Sequence, residues 1–282
     1  MRVFIRKMAV VLCVSVLLMG VAHGCFADDL TETEAFFSRP EGYSGIVDVP
    51  RRGPTRYYAQ NDPLWGGLCY EQAGTASRRP FRDSACGPAS AAMAVANLIP
   101  EEEFSRIAAY AKTEYSLCPC SVNRVRCNRN HARYVLTTGR DFVRFLPLVF
   151  ADFATGNNTF GAVSRNGNAG TGPGFLHYIA QIYGLQMTMS SDYQKAVEAL
   201  RRGDSVMASA AKGGAFTNTG HYVYLAGIDD ERLYILDPLC REQYKTNQGK
   251  KLEILQPGLV ALTHENVPFA SLGSFIIVHK PD

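Results

Sequence analysis

The chain is predicted to fold as an α+β domain, with an N-terminal helical part packed on a C-terminal antiparallel sheet. Three observations carry this expectation. Between Cys86 and Leu200 the apolar residues recur mostly at helical spacing, whereas from Ser205 the period shortens to that of strands. Asp229-Asp230-Glu231 separates two of those strands as a hairpin turn. Helices first and strands later is the order of a domain whose helices are segregated from its sheet, and no internal repeat suggests a solenoid.

Residues 1–27 read as a secretory signal peptide. Arg2, Arg6 and Lys7 precede a 15-residue apolar run from Met8 to Ala22, too short for a membrane span. Ala22-His23-Gly24 and Cys25-Phe26-Ala27 both offer small-residue cleavage sites. Cleavage after Ala27 is preferred because it leaves the acidic start Asp28-Asp29. Lipid attachment at Cys25 is the weaker alternative, since the residues before it match a lipobox poorly. The expected location is therefore periplasmic or secreted, with no membrane span in the mature chain.

The whole chain has 29 Lys+Arg against 26 Asp+Glu, and the signal segment holds three of the bases and none of the acids. The mature part is thus balanced, which gives no support to a nucleic-acid or anionic-membrane partner. Residues 28–55 are polar and hold Pro40, Pro50, Gly53 and Pro54, the composition of a linker or loosely packed arm. The folded part, 56–282, opens on Tyr57-Tyr58-Ala59-Gln60 as a short strand. Asn61-Asp62-Pro63-Leu64-Trp65-Gly66-Gly67 then breaks it, with Trp65, the single tryptophan, as a core anchor.

The next stretch is Asp83-Ser84-Ala85-Cys86-Gly87-Pro88-Ala89-Ser90, running on as small apolar residues to Leu98. Proline is favoured in the first turn of a helix, so Cys86 should stand at a helix N-terminus. There unpaired N–H groups and the positive end of the dipole favour thiolate over thiol. Cys86 is a candidate nucleophile. Standing alone, it could equally be a buried structural cysteine.

Glu101 to Thr113 puts Phe104, Ile107, Ala108 and Ala111 on one helical face, and Asp141 to Phe153 is apolar at helical spacing. Between them lie Cys118-Pro119-Cys120, Cys127 and His131, in a cysteine-rich insert at about 113–172. These four groups could hold zinc, but paired CxxC spacing is missing and disulfides are the default in an exported chain. No metal or cofactor is therefore expected. Cys118 and Cys120 are too close to bridge with each other, so one should pair with Cys127 and the other with Cys69 or Cys240. Thr155 to Gly174, rich in Gly, Asn, Ser and Thr, reads as an exposed loop. Helices over Phe175–Tyr183 and Tyr193–Leu200 should stop at Gly184 and Gly203. Strands are expected over Ser205–Ser209, His221–Ile228, Arg232–Leu236 and Ser274–His279.

His221 opens one strand after a Gly/Thr/Asn loop, so its ring can stand at the sheet's end, and histidine is the side chain best suited to take a thiol proton near neutral pH. Asp237 closes the neighbouring strand. Hairpin pairing returns it to the level of His221, where it can accept from the ring N–H and fix its orientation.

At this point the chain resembles a known family: the exported branch of papain-fold cysteine peptidases related to the bacteriocin-leader-processing peptidases. Three blocks carry the resemblance: Tyr58 to Trp65, Ala85 to Met93, and Gly214 to Tyr222 with Gly227 and Asp237-Pro238. The segment from Gly184-Leu185 to Gly203 is also similar. The resemblance spans about residues 56–238 and implies a papain-like fold. It implies Cys86 as nucleophile, His221 as general base and acid, Asp237 as orienting carboxylate, and Gln60 as side-chain donor of an oxyanion hole shared with the Cys86 N–H. Gln60 lies 26 positions before Cys86, so Gly66 to Arg82 must loop out and return. The implied activity is hydrolysis of peptide or isopeptide bonds in a peptide or protein substrate. The same triad would serve a transpeptidase or acyltransferase, as in phytochelatin-type synthases, and a catalytically silent binding module is the third reading.

Overall fold

The computed structural model describes residues 44–68, 70, 80–116, 133–165, 170–241, 244 and 251–281. The expected signal peptide, the arm up to residue 43, Cys69, Cys118, Cys120, Cys127 and His131 lie outside them. All the described residues belong to the unit Pro40–Asp282.

The first described elements are strands β1 (Gly45–Val49) and β2 (Gly53–Tyr57), which pair antiparallel as a hairpin. This differs from the loose arm expected up to residue 55. The residues of β1 alternate buried and exposed, the pattern of a half-buried strand, and Arg51 takes the left-handed backbone conformation that closes the turn. After β2 the chain does not continue as a strand through Gln60. It turns, with Trp65 fully buried and its Nε1–H donated to the Ala59 carbonyl at 2.8 Å.

A short helix α1 (Phe81–Ser84) leads into α2 (Cys86–Ala96). Every residue of α2 from Gly87 to Ala96 is buried. A helix apolar all round belongs inside a domain, and α2 packs on the sheet strand that begins with His221 and on a second apolar helix. The expected helix after Glu101 is a 3-10 helix, Glu101–Ala109, with Phe104 and Ile107 inward. Strands β3 (Glu114–Ser116) and β4 (Arg133–Val135) form a small ribbon. The expected helix over 141–153 is two, α3 (Gly139–Arg144) and α4 (Leu146–Thr155), the first started by a Thr138–Asp141 capping box. Helices α5 (Gly174–Tyr183) and α6 (Tyr193–Arg202) flank β5 (Gln186–Ser190), and they stop at Gly184 and Gly203, both left-handed.

The main sheet adds β6 (Ser205–Ala210), β7 (His221–Ile228), β8 (Arg232–Leu236), β9 (Leu252–Gln256), β10 (Leu259–Thr263) and β11 (Leu272–His279), with a short helix α7 (Val267–Ala270) before the last. Its order is β5-β11-β6-β7-β8-β10-β9, with every neighbour antiparallel. Strands β5, β9 and β10 were not foreseen. Ala196, Ala199 and Leu200 of α6 pack with Val206, Val223, Leu225, Ile235 and Phe275 as the core of one face. Helix α2 also packs on β6 and β7, and β7 is buried for most of its length. Mixed helix and antiparallel sheet make this an α+β domain. Among the described residues, no helix is long and apolar enough to cross a membrane.

The turn between β9 and β10 bears on the site. Gly258 has φ of +81°, and a Cβ there would overlap the Tyr57 phenol. Gly258→Ala should cost about 2–3 kcal/mol through strain and overpacking, lowering the thermal midpoint by about 5–10 °C. Gly67→Ala, where a Cβ meets nothing within 4 Å, should stay within about 1 kcal/mol of the parent. Calorimetry of the two variants checks both.

Candidate active site

Cys86 is the first residue of α2, and no side chain caps that helix. The N–H groups of its first turn have no intrahelical acceptor, and the Gly87 N–H is directed at the Cys86 sulfur, as is the Tyr222 N–H of β7. The sequence places a thiol here because Pro88, lacking an N–H, and the small residues after it let the helix begin against the sheet.

His221 is the first residue of β7. The loop before it is fixed by Thr217, whose Oγ1 accepts from the N–H groups of Thr219 and Gly220 at 3.0 and 3.2 Å. Strands β7 and β8 pair Tyr224 with Leu236 and Leu225 with Ile235, so Asp237 emerges beside the start of β7. His221 Nε2 lies 2.6 Å from Asp237 Oδ1, with the side chains 4% and 0% exposed. The other ring nitrogen serves the hydrogen bond between His221 and the Cys86 sulfur. Sulfur, imidazole and carboxylate stand in one line.

Asp237 is held on every side. Oδ1 also accepts from the Leu239 N–H at 2.9 Å. Oδ2 accepts from the Tyr244 hydroxyl at 2.9 Å and faces Arg241 Nε at 3.5 Å. Its own N–H donates to the Gly258 carbonyl and its carbonyl accepts from the Tyr57 hydroxyl, each at 2.7 Å. Tyr57, Arg241 and Tyr244 were not singled out from sequence. Tyr57 is 180 positions from its acceptor, and no local pattern reports such a pairing.

These contacts set the protonation states. Burial pushes the Cys86 thiol up, but its hydrogen bond to His221, the charge of that ring and the two backbone N–H groups outweigh burial and leave it lowered. Burial pulls His221 down, yet the Asp237 charge and hydrogen bond, with the Cys86 sulfur, raise it from 6.5 to about 9. Burial pushes the Asp237 carboxyl up, and it is nonetheless lowered by His221, Arg241 and the Leu239 N–H. The arrangement favours a thiolate beside an imidazolium.

Gln60 is 2% exposed and lines the same cleft. Its N–H donates to the Pro238 carbonyl and its Nε2 to the Arg82 carbonyl, both at 2.6 Å. The amide is thereby oriented, because its Oε1 cannot face the Arg82 carbonyl, and Nε2 retains a second hydrogen. The cleft has a volume of about 570 Å³. Cys86, His221 and Gln60 line it with Ser84, Thr171 and Lys212. The structure therefore brings all four sequence-derived residues together, Asp237 from behind the ring.

Two expectations are corrected. Cys240, named as a possible disulfide partner, forms no disulfide. It lies in the tight turn after Asp237, its N–H donated to the Asp237 carbonyl at 3.1 Å, and its sulfur hydrogen-bonds the Tyr57 hydroxyl. The segment from Thr155 to Gly174, expected to be an exposed loop, is so only in part: Phe160 and Val163 are exposed, but Arg165 and Thr171 are buried, 1% and 7% exposed.

Residues 55–255, well over half of the chain, match the model of the Peptidase_C39 like family. No curated protein matches the chain.

The imidazolium makes a testable contribution. Because His221 holds its proton more tightly when folded, that proton stabilises the fold fully below about pH 6.5. The contribution is lost as pH rises through about 9. In Asp237→Asn the midpoint of the His221 ring, followed by NMR, should fall to 6.5 or below. A midpoint still near 9 would mean that Asp237 is not what raises it.

Proposed function

We propose, since the chain belongs to the Peptidase_C39 like family, that it is an exported cysteine peptidase of papain-like architecture working through a Cys86–His221–Asp237 triad. The observation that carries this reading is the buried line of hydrogen bonds from the Cys86 sulfur through His221 to Asp237, opening on the cleft. Export rests on the composition of residues 1–27.

In this account the Cys86 thiolate attacks the carbonyl carbon of a peptide or isopeptide bond, and the oxygen gains the negative charge. Gln60 Nε2–H and the Cys86 N–H stabilise that oxyanion. The His221 imidazolium donates its proton to the leaving amine, which departs and leaves a thioacyl enzyme. Neutral His221 then takes a proton from water, whose oxygen attacks the thioester. The acid product leaves, and the thiolate–imidazolium pair is restored. Asp237 keeps the ring aimed and its tautomer fixed throughout, as an orienting carboxylate does in other triads.

The test is mass spectrometry of a mixed peptide library incubated with the protein. Parent protein should cleave a subset of peptides, Cys86→Ala none. Gln60→Ala should lower turnover about a hundredfold, the cost of one preorganised oxyanion donor. It should leave alkylation of Cys86 within about twofold, since Gln60 does not touch the sulfur's proton balance. Products joined to an added amine, in place of hydrolysed ends, would favour the transpeptidase. A library left intact by the parent protein would favour the binding module.

A further inference from the structure

Among the described residues, Arg165 is a buried cation with no carboxylate partner. It lies in the segment after α4, 1% exposed, its N–H donated to the Ala154 carbonyl at 2.9 Å. The guanidinium stacks on the Tyr70 ring, 4.1 Å from its centre. Nη2 donates to the Ser84 hydroxyl at 3.2 Å. The side chain also hydrogen-bonds the Tyr70 hydroxyl, yet among the described residues Nε and Nη1 are buried with no well-formed acceptor and no carboxylate stands within ion-pair distance of the guanidinium. Arginine stays protonated in proteins. A cation taken out of water and left unpaired is costly unless something else uses its charge.

What it adjoins is the cleft. Ser84, two residues before Cys86, lines that cleft, and so does Thr171. Thr171 pairs with Arg165 across a backbone bridge, shares a hydrogen bond with the Tyr70 hydroxyl at 2.6 Å, and packs beside Gly87. The Ser84 oxygen accepts from Arg165, so its own hydrogen is left to donate, and a donor bound to a cation is polarised towards an anion. Asp83 on the same rim is a weak counterweight. Its side chain is 55% exposed and lies 3.9 Å from the Arg82 guanidinium, so water and that neighbour screen it.

We infer that this wall of the cleft recognises a carboxylate on the substrate. The substrate class is then an acidic peptide with its acid close to the scissile bond. The Ser84 hydroxyl is the direct donor, and Arg165 supplies the charge from behind it. The inference deepens the peptidase reading and rests on it. Arg165 itself is a positioning residue, since it reaches the substrate only through Ser84.

The probes are iodoacetate and iodoacetamide, which alkylate the same sulfur and differ in charge. The readout is the ratio of their rates at Cys86, located by peptide mapping, in the full chain and its variants. Arg165→Gln should lower the iodoacetate-to-iodoacetamide ratio about fivefold, as expected for removing a unit charge from a poorly solvated wall. Arg165→Lys should retain most of the preference, and Ser84→Ala should lose about half of it or more. Should Arg165→Gln fail to melt cooperatively, Ser84→Ala alone decides. A ratio within experimental error of the parent in the folded variants would overturn the inference. Because the ratio cancels the reactivity of the thiol, a sluggish Cys86 would count against the peptidase reading while still reporting on this wall.

Discussion

Asp237 is a carboxylate shut off from solvent, and the chain around it is arranged to keep it ionised. A buried charge is tolerated when its lone pairs are met, and here each oxygen has two partners. His221 and the Leu239 N–H share Oδ1, while Tyr244 and Arg241 share Oδ2. These partners come from the start of β7, the turn after β8 and the chain beyond it. The backbone of the same residue is fixed by Gly258 in the β9–β10 turn and by Tyr57 at the end of β2. One residue thus gathers the hairpin, the sheet and the chain beyond them around one point.

From that point the geometry reaches both sides of the cleft. His221 carries it to the Cys86 sulfur, and the Gln60 N–H carries it through the Pro238 carbonyl to the amide proposed for the oxyanion. The proposed base and the proposed oxyanion donor are therefore set by adjacent residues of one segment. On the far side, α2 holds the sulfur because an all-apolar helix has nowhere to go but between the sheet and α4. Rigid elements fix the reacting groups, as preorganisation requires.

Much of this was legible. The apolar run after Cys86, the Asp229–Glu231 turn and the stops at Gly184 and Gly203 are local signals, and each has a single physical reading. The hairpin then placed His221 and Asp237 at one end of the sheet. What escaped was either two-sided or distant. Strand β9 and strand β10 flank Pro257-Gly258, a turn signal in itself, but β9 is an edge strand with four of its five residues exposed. Strand β1 alternates cleanly, yet the prolines and glycines around it gave the composition of a linker. Arg165 sits among residues typical of exposed loops. Its burial follows from Tyr70 and Ser84, more than 80 positions away, which no window on the sequence could report.

In the proposed mechanism Cys86 is a thiolate because His221 is an imidazolium. Thiolate absorbance in the ultraviolet, titrated in the parent protein with the Cys86→Ala spectrum subtracted, reads that state directly. The Cys86 midpoint is expected below the free-thiol value of about 8.5, moving to that value or above in His221→Ala. A parent midpoint near 8.5 that ignores the loss of His221 would contradict it.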